Sequence, residues 1–294
     1  MSYYFDNMVR PCLLDRLRAT SGLFVLDTFP NAERAFSLRK LKSSAVNCIR
    51  VRRSSDNTEM DIGFIGNEID TSALLSFCGS GNGFVRTWYD QTGNNNHFHQ
   101  TGLSQQMRIV NNGNIELENG KPAINGIRGT YMNAPTNTSF LGYSVLVSSN
   151  NISDPGANAA ITQSDSSSFI TFLNIQSTNT SDAQNRSARV NNIGAHIVYA
   201  EINTNSRQSI IVHSSDTENY SIRIDGNSQI LGIAAGENTG NWFGLYLFDM
   251  FINRLDRISP VNYAGKYQEI IFYNEDKSDV IEQIEQNILT HYGI

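Results

Sequence analysis

The chain has 294 residues, with 22 Lys and Arg against 28 Asp and Glu, which gives a formal net charge of -6. This balance excludes a nucleic-acid binder that relies on global positive charge, because neutralising phosphates requires clustered Lys and Arg. Charged residues make up only 17% of the chain, below the ~25% typical of soluble domains, while hydrophobic residues reach 39% and are sufficient to form a core. Together these values predict a globular, β-rich protein.

The N-terminal segment is predicted to be helical. Apolar residues such as Phe5, Val9 and Leu13 recur there at three- and four-residue spacing, although Pro11 interrupts the run. We expect residues 1–22 to form an assembly segment that either closes one end of its own domain or docks against another subunit. The segment lacks an uninterrupted apolar stretch, so we expect no signal peptide, and no apolar run in the chain approaches the ~20 residues needed to span a bilayer.

The three cysteines, Cys12, Cys48 and Cys78, are far apart in sequence and include no C-x-x-C pair. Neither a disulfide framework nor a zinc site is indicated by this spacing. We therefore expect all three to be reduced and at least partly buried, in a protein synthesised in the cytoplasm.

Two further short helices are predicted before the strands begin. Residues 32–42 follow Pro30-Asn31 and are rich in helix-forming residues. Residues 71–78 have Asp70 as a candidate N-cap and Gly79 as a stop.

From residue 84 onward the hydrophobic period becomes two, which indicates strands separated by Asn- and Gly-rich turns. Asn119-Gly120 and Asp225-Gly226 each lie between two alternating runs and predict tight hairpin turns. Residues 150–168 are predicted to be a surface loop. The predicted strands cover 84–90, 106–110, 114–124, 143–149, 170–176, 195–202, 208–215, 219–230, 245–253 and 266–274.

The chain ends in a predicted amphipathic helix that packs on a sheet, with Gly293 as its stop. Glu282, Glu285 and Gln286 are expected to face outward. The apolar face is expected to consist of Val280, Ile281, Ile284, Ile288 and Tyr292. The predicted fold class is all-β: a two-sheet antiparallel sandwich of the jelly-roll type over residues 23–294, with short N-terminal helices and a C-terminal helix.

Five residues are candidates for carbohydrate binding, since aromatic rings stack on sugar rings and Asp or Asn side chains bind hydroxyl groups. They are Trp88, Tyr89, Asp90, Asn94 and Trp242. A structural interpretation competes with this one, in which the aromatic residues belong to the core and Asp90 bonds to loop backbone. Because neighbouring strand residues point to opposite faces, Trp88 and Tyr89 cannot both lie on one exposed face.

Other groupings are weaker. His97 and His99 share a strand face, but no third ligand is evident and a polar strand face is the simpler interpretation. Arg50 and Arg52 share a strand face, with Arg53 on the opposite one, and they could contact an anionic partner. We expect instead a solvated strand or salt bridges with Asp56, Glu59 or Asp61. No cofactor or catalytic residue is assigned. Ca²⁺ in acidic turns such as 216–218 and 225–226 is kept as an alternative, although no twelve-residue loop pattern supports it.

The sequence resembles the catalytic-domain family of α-L-arabinofuranosidase B. The resemblance lies in Arg52-Arg53-Ser54-Ser55-Asp56, Asp61-Ile62, Trp88-Tyr89-Asp90-Gln91-Thr92-Gly93 and Asn119-Gly120-Lys121-Pro122, and it implies a concanavalin-like β-sandwich. The same block is similar to lectin- or laminin-G-like domains of phage and bacterial proteins. The closing strand and helix, from Gly265 to Gly293, also resemble those domains, so the matches bracket residues 35–294.

The sequence departs from the fungal enzymes of this family in two ways. It has no adjacent cysteine pair, and neither catalytic carboxylate of the family aligns with a position here. Retaining glycosidases need two carboxyl groups about 5–5.5 Å apart. Because of these departures we expect a non-enzymatic bacteriophage virion protein, such as a tail, fibre or head-decoration component with a lectin-like body.

That hypothesis implies a homo-oligomer in the virion that contacts other virion proteins and a host-surface glycan, with no nucleic acid and no membrane span. Two alternatives remain open: a retaining arabinofuranosidase-like glycoside hydrolase, and a bacterial carbohydrate-binding module.

Overall fold

A computed structural model describes residues 24–135, 143–150, 158–164, 171–178, 184–191, 194–201, 209–215, 220–236, 249–256 and 260–294. Within these ranges the helices are α1 (Val25–Thr28), α2 (Thr71–Cys78) and α3 (Ile281–Tyr292), with a 3-10 turn at Leu103–Gln105. The strands are β1 (Ala32–Ser37), β2 (Ile49–Arg53), β3 (Glu59–Ile62), β4 (Phe64–Ile65), β5 (Glu68–Ile69), β6 (Gly83–Trp88), β7 (Phe98–His99), β8 (Arg108–Asn111), β9 (Asn114–Ile115), β10 (Leu117–Glu118), β11 (Lys121–Pro122), β12 (Ile124–Gly126), β13 (Met132–Ala134), β14 (Tyr143–Asn150), β15 (Asn158–Ser164), β16 (Thr171–Thr178), β17 (Gln184–Asn191), β18 (Gly194–Glu201), β19 (Ser209–Ser215), β20 (Tyr220–Ile224), β21 (Asn227–Ser228), β22 (Leu231–Ala235), β23 (Met250–Ile252), β24 (Arg254–Leu255), β25 (Val261–Asn262) and β26 (Gly265–Tyr273).

In the described ranges, the strands form two main layers and three two-stranded ribbons, β4–β5, β10–β11 and β24–β25. The first main layer, which we call the helix-side sheet, is built around β26. Strand β14 pairs with β26 along its whole length on one edge. On the other edge β1 pairs with residues 269–273 and β12 with residues 265–267, so two separate strands share that edge. Strands β19, β20 and β21 extend the sheet beyond β14.

The second sheet runs in the order β3, β2, β6, β7, β13, β23, β15, β16, β17, β18 and β22, with antiparallel pairing throughout. Strand β8 bonds to β6 of this sheet and to β12 of the helix-side sheet. The two sheets are therefore joined along one side of the sandwich.

Among the described residues, two large apolar cores hold these layers together, beside a small cluster of Leu255 and Tyr263. The larger core lies between the sheets and combines residues such as Phe36, Ile270 and Phe272 with Ile49 and Trp88 from the opposite sheet. The smaller core lies on the other face of the helix-side sheet, under α1 and α3. Its members include Val25, Leu26, Ala35, Val145, Ile271, Ile284, Ile288 and Tyr292. The molecule is thus an all-β antiparallel sandwich, as the sequence predicted, and α1 and α3 pack on one outer face of it.

Several local predictions are confirmed. Helix α2 has the predicted bounds, and the Asp70 carboxylate caps it by accepting a hydrogen bond from the backbone N–H of Ala73 at 2.8 Å. The turns at 119–120 and 225–226 have positive φ at both central residues, as the hairpin signal requires. Helix α3 ends at Gly293 in the left-handed conformation.

The prediction of a helix over residues 32–42 is wrong. Residues Ala32–Ser37 form β1, which pairs with β26 and is buried on both faces: Ala35 packs toward the helices and Phe36 into the core between the sheets. A strand buried on both faces shows no alternation of apolar and polar residues, so its sequence lacks the usual strand signal. Here the pairing of β1 with β26 outweighs the intrinsic helix propensity of its residues.

Two other expectations also fail. Residues Asn158–Ser164, within the predicted loop at 150–168, form β15, which pairs with β16 and β23. Glu285, expected to face outward on α3, is buried and forms an ion pair with Arg223 on β20 at 2.8 Å.

The predicted N-terminal assembly segment and Cys12 lie outside the described residues, so the division at residue 22 stays a prediction. Cys48 and Cys78 are buried free thiols, as expected. In the described ranges, no helix is long and apolar enough to cross a membrane.

Candidate functional site

The segment from Trp88 to His99 contains four of the five predicted sugar-binding residues. Trp88 ends β6 and points into the core, where its side chain is completely buried and its ring lies 5.9 Å from that of Phe36. Tyr89 points to the outer face of the second sheet. The prediction that these two residues face opposite sides is confirmed, and Tyr89 alone of the pair reaches a surface.

Asp90 anchors the loop that follows. Its Oδ1 accepts hydrogen bonds from the backbone N–H groups of Ala35 and Thr92, both at 3.0 Å, and its Oδ2 accepts one from the N–H of Asn96 at 3.1 Å. The Thr92 hydroxyl also donates to this carboxylate at 2.8 Å. Asp90 is buried, and its oxygens are occupied in tying the loop to β1. These hydrogen bonds agree with the structural interpretation, in which Asp90 bonds to loop backbone.

Gln91 continues the attachment to the same part of the chain. Its side-chain oxygen accepts from the N–H of Leu41 at 2.7 Å, and its amide nitrogen donates to the carbonyl oxygens of Ser37 and Arg39. The Asp90-Gln91 pair therefore fixes the end of β6 against β1 and the segment that follows it.

Asn94 lies at the rim of an open cavity of about 370 Å³ between this loop and the start of β1. Its side-chain amide donates to the carbonyl of Glu33 at 3.0 Å, and the Lys42 ammonium donates to the carbonyl of Thr92 at 2.7 Å. The volume is within the ~300–1,000 Å³ range of ligand pockets. Both of these polar side chains bond to backbone carbonyls, Asn94 to one in β1 and Lys42 to one in the loop, so in this structure they brace the cavity wall.

Tyr89 belongs to a polar surface on the outer face of the second sheet, which we call the Tyr89 face. It consists of three rings and two ion pairs: Tyr89, His97, His99, Arg50–Asp61 and Arg86–Glu59. The strands place them together because Arg50 pairs with Asp61 and Thr87 across β2, and Thr87 pairs with His99 across β6. Successive outward positions on four strands thus form one surface.

Hydrogen bonds fix the groups of the Tyr89 face. Arg50 donates through Nε and Nη2 to the two oxygens of Asp61, at 2.8 and 2.7 Å, and the Tyr89 hydroxyl donates to Asp61 Oδ1 at 2.7 Å. The Tyr89 and His97 rings meet edge to face, with centroids 4.9 Å apart. Arg86 and Glu59 are 3.5 Å apart.

These contacts set the protonation of the face. The Arg50 hydrogen bonds lower the pKa of Asp61, whereas burial and then the bond to Asp61 raise the pKa of Tyr89 to about 12. Burial lowers the pKa of both His97 and His99. His97 Nδ1 also accepts from the backbone N–H of Asp90 at 3.0 Å, which requires this nitrogen to be unprotonated. Both imidazoles are therefore neutral at pH 7.

The histidine pair does not form a recognisable metal site. The two rings are 5.8 Å apart, and the described residues contain no group of three His, Cys, Asp or Glu side chains that could hold an ion. The expected salt bridges of the arginines with Asp56, Glu59 or Asp61 are present for Arg50 and Arg53, and Glu59 pairs with Arg86. Arg52 instead bonds to Gln106 and Asn57.

A second polar cluster is buried beneath α3. Arg39 donates through Nε and Nη2 to Glu269 at 2.7 and 2.9 Å, and the hydroxyls of Ser37 and Tyr292 also donate to Glu269. Burial alone would raise the pKa of Glu269, but the Arg39 guanidinium and these bonds outweigh it and hold the pKa below its usual value. This cluster joins β1, β26 and α3, and the sequence pattern gave no signal for it.

Trp242 and the acidic residues 216–218 lie outside the described residues. Sugar binding by the five predicted residues stays a prediction, and so does the absence of a cofactor. The structure places Tyr89 on an exposed face, Asn94 at a cavity, and Trp88 and Asp90 in the interior. The sequence pattern did not indicate that Tyr89 would meet Asp61, Arg50 and the two histidines, because those residues come from separate strands.

Comparison with known proteins identifies the architecture. Residues 34–123 match the family model described as "Alpha-L-arabinofuranosidase B, catalytic". No curated protein sequence matches the chain. The solved structures similar to the chain include a GH54 α-L-arabinofuranosidase soaked with a cyclic sulfate inhibitor, with a TM-score of 0.57, 14% identity, and coverage of 90% of this chain and 64% of that one.

Two further structures agree with that match. The same kind of enzyme soaked with 4-nitrophenyl α-L-arabinofuranoside gives a TM-score of 0.56 at 15% identity, covering 90% of this chain and 64% of that one. An arabinofuranosidase complexed with arabinofuranosyl-α-1,2-xylobiose gives 0.56 at 17%, covering 88% and 62%. This chain spans less than two thirds of the length of each. At these identities the likeness establishes the fold.

These matches correct the functional expectation drawn from the sequence. The hypothesis of a non-enzymatic bacteriophage virion protein is wrong, because the family model and the similar structures point to the arabinofuranosidase-like glycoside hydrolase fold that was the stated alternative. The arabinofuranosidase-like resemblance is confirmed at the level of the fold. The oligomer and virion partners expected from that hypothesis have no support.

Proposed function

We propose that the chain is a glycoside hydrolase that cleaves terminal α-L-arabinofuranosyl groups from a polysaccharide. The observation that carries this proposal is the likeness of nine tenths of the chain to arabinofuranosidases. The family-model match over residues 34–123 supports it independently of the strand arrangement.

Two buried carboxylates in or next to the matched segment have a structural role in such an enzyme. The matched segment contains Asp90 and Gln91, whose side chains tie the loop after β6 to the β1 region. It also contains Arg39, whose partner Glu269 is fully buried. We assign Asp90 and Glu269 to the scaffold, because their oxygens are already occupied and a nucleophile or proton donor must reach the sugar.

A retaining mechanism would need two other carboxyl groups, one as nucleophile and one as acid and base. The nucleophile attacks the anomeric carbon while the acid protonates the leaving oxygen, and water then releases the sugar with the acid acting as base. Covalent trapping, rather than sequence pattern, is the direct way to assign the nucleophile in this chain.

The first test is hydrolysis of 4-nitrophenyl α-L-arabinofuranoside by the full chain, with 4-nitrophenyl β-D-xylopyranoside as the matched control substrate. We expect nitrophenol release from the first at least tenfold faster than from the second. A folded protein, verified by a cooperative unfolding transition, that releases nitrophenol from neither substrate would overturn the proposal.

The second test assigns the nucleophile. A cyclic sulfate with the arabinofuranose configuration should label one carboxylate covalently, and peptide mass mapping should locate it. Changing that residue to its amide should lower kcat by about 10³-fold or more, whereas the exposed Asp56→Asn control should keep the wild-type rate. Turnover without labelling would contradict the retaining mechanism.

A further inference from the structure

The Tyr89 face is an accessible and rigid surface to which the proposed hydrolysis assigns no role. Its ion-pair side chains are partly open to solvent, with 42% of Arg50 and 33% of Asp61 exposed. Arg86 and Glu59 are exposed to 26% and 35%. A ligand lying on the outer face of the second sheet can therefore contact charged groups and rings together.

We infer that the Tyr89 face binds a stretch of neutral polysaccharide. The polysaccharide class rests on the proposed function, but the binding itself requires no catalysis. The inference depends on three properties of the surface: its charge balance, its mixture of rings with hydrogen-bonding groups, and the fixation of its side chains.

The charge balance favours a neutral ligand. Two arginines are matched by two carboxylates, each within 3.5 Å of its partner, and both imidazoles are neutral at pH 7. A surface for phosphates or acidic sugars would need an excess of positive charge. The exposed groups of the Tyr89 face carry none, because Arg52, the cross-strand neighbour of Glu59, is buried and bonds to Gln106 and Asn57. Ligand recognition must therefore come from hydrogen bonds and ring contacts.

The chemical groups suit sugar rings. Hydroxyl groups of a sugar both donate and accept hydrogen bonds. The face offers guanidinium donors and carboxylate acceptors within a few ångströms of each other. Arg50 uses Nε and Nη2 on Asp61, and none of these contacts involves its Nη1. Beside them, the Tyr89 ring supplies the apolar surface on which the C–H side of a sugar packs.

The side chains are fixed before any ligand arrives. Asp61 holds the Tyr89 hydroxyl, the Asp90 N–H holds His97, and the Thr87 hydroxyl lies 3.1 Å from His99 Nδ1. Groups that are already immobile lose little conformational freedom on binding, so more of the contact energy contributes to affinity. Strands β2, β3 and β6 provide the rigid support.

The test is retardation of the full chain in native gels that contain soluble neutral arabinoxylan, run in the cold so that the polysaccharide is not consumed. We expect Tyr89→Ala to lower the affinity about tenfold, the effect of removing a ring from the centre of a contact surface. Phe24→Ala is the matched control, because Phe24 is also a partly buried ring that contacts a cation, Lys40, but it precedes α1 on the helix side of the molecule. It should bind as the wild type does.

Two additional measurements make the outcome decisive. Tyr89→Phe keeps the ring and loses only the bond to Asp61, so it should retain more affinity than Tyr89→Ala. Polygalacturonate, a carboxylated polysaccharide, should not retard the protein. The inference is overturned if the wild type is not retarded, if Tyr89→Ala binds unchanged with a wild-type unfolding midpoint, or if polygalacturonate binds equally well.

The two proposals can fail separately. Retardation that depends on Tyr89, without any release of nitrophenol from the arabinofuranoside, would remove the hydrolase proposal and leave the binding surface. Hydrolysis of the arabinofuranoside without retardation by arabinoxylan would remove the binding surface and leave the hydrolase proposal.

Discussion

Glu269 should contribute more to stability than the carboxylates of exposed ion pairs do. It is fully buried and accepts hydrogen bonds from Arg39, Ser37 and Tyr292. Glu269→Ala would leave the Arg39 guanidinium buried without its partner. Removing one member of a buried pair typically costs about 3–5 kcal/mol of unfolding free energy. We expect a loss of this size in urea denaturation.

The control for this prediction is Asp56→Asn, which removes the carboxylate of the exposed Arg53–Asp56 pair. Solvent screens such pairs, so its unfolding midpoint should match that of the wild type. Equal losses from both variants would show that burial does not distinguish the two pairs.

Asp90 gives a second prediction at this scale. Asp90→Ala removes the acceptor for the N–H groups of Ala35, Thr92 and Asn96. Losing bonds to a buried charged acceptor should lower the unfolding free energy by about 2–3 kcal/mol. Hydrogen exchange should quicken at residues 90–97 before it does elsewhere. Unchanged exchange in this loop would contradict the anchoring role of Asp90.

The outcome at Asp90 also explains what sequence could predict about the site. An Asp at the end of a strand predicts a turn acceptor from local chemistry alone, and this interpretation agrees with the observed bonds. The meeting of Tyr89 with Arg50 and Asp61 depends on the register of β2 with β3 and β6, which local sequence does not contain. Trp88 and Tyr89 could be assigned to opposite faces but not to core and surface, since alternation leaves that choice open.

At the scale of elements, α3 is attached to the helix-side sheet by its apolar side. Ile288 is fully buried in the core beneath the helix. Ile288→Ala should cost about 2–5 kcal/mol by the usual range for such truncations. Gln286→Ala, on the exposed side of the same helix, should leave the urea midpoint nearly unchanged. If both variants behaved alike, the helix would not be packed as described.

The end of α3 should also make stability depend on pH. The pKa of His291 is lowered to about 4, first by burial and then by the charge of Arg39, with a smaller effect of Lys121 in the same direction. The carboxylates of Glu269 and Glu68 act in the opposite direction but do not compensate. When the pKa of a histidine is lower in the folded state than its unfolded value of ~6.5, the neutral histidine contributes fully to the free energy of unfolding above pH ~6.5. This contribution is lost as the pH falls toward the folded-state pKa.

We therefore expect the urea midpoint to fall between pH 7 and pH 5. His291→Gln should show a smaller fall over the same interval, although His97 and His99 will preserve part of it because their pKa values are lowered as well. Parallel pH profiles for the wild type and His291→Gln would show that His291 does not contribute.

The elements also show where pattern analysis is reliable. The sequence predicts helices α2 and α3 because the cap at Asp70 and the stops at Gly79 and Gly293 are local signals. Strand β1 was mistaken for a helix because pairing with β26, more than 230 residues later, decides its conformation. Glu285 was misplaced for a similar reason, since its partner Arg223 is 62 residues away in sequence.

At the scale of the whole molecule, the two described thiols report on global opening. Cys48 and Cys78 are both buried in the core between the sheets, and burial raises the pKa of each thiol. Both should resist a thiol reagent under native conditions and react together at the denaturant concentration where circular dichroism is lost. Peptide mapping separates them from Cys12. Earlier labelling of Cys78 alone would indicate a local opening at the end of α2.

Strand β26 has a consequence for how the protein is made. It begins at Gly265, yet it joins β1, β12 and β14, which leave the ribosome much earlier. Until β26 emerges, those three strands have unpaired edges and the nascent chain cannot close either core. Chains truncated before residue 265 should therefore aggregate when translated, and chaperones that shield nascent segments should matter more for this protein than for one whose neighbouring strands are consecutive.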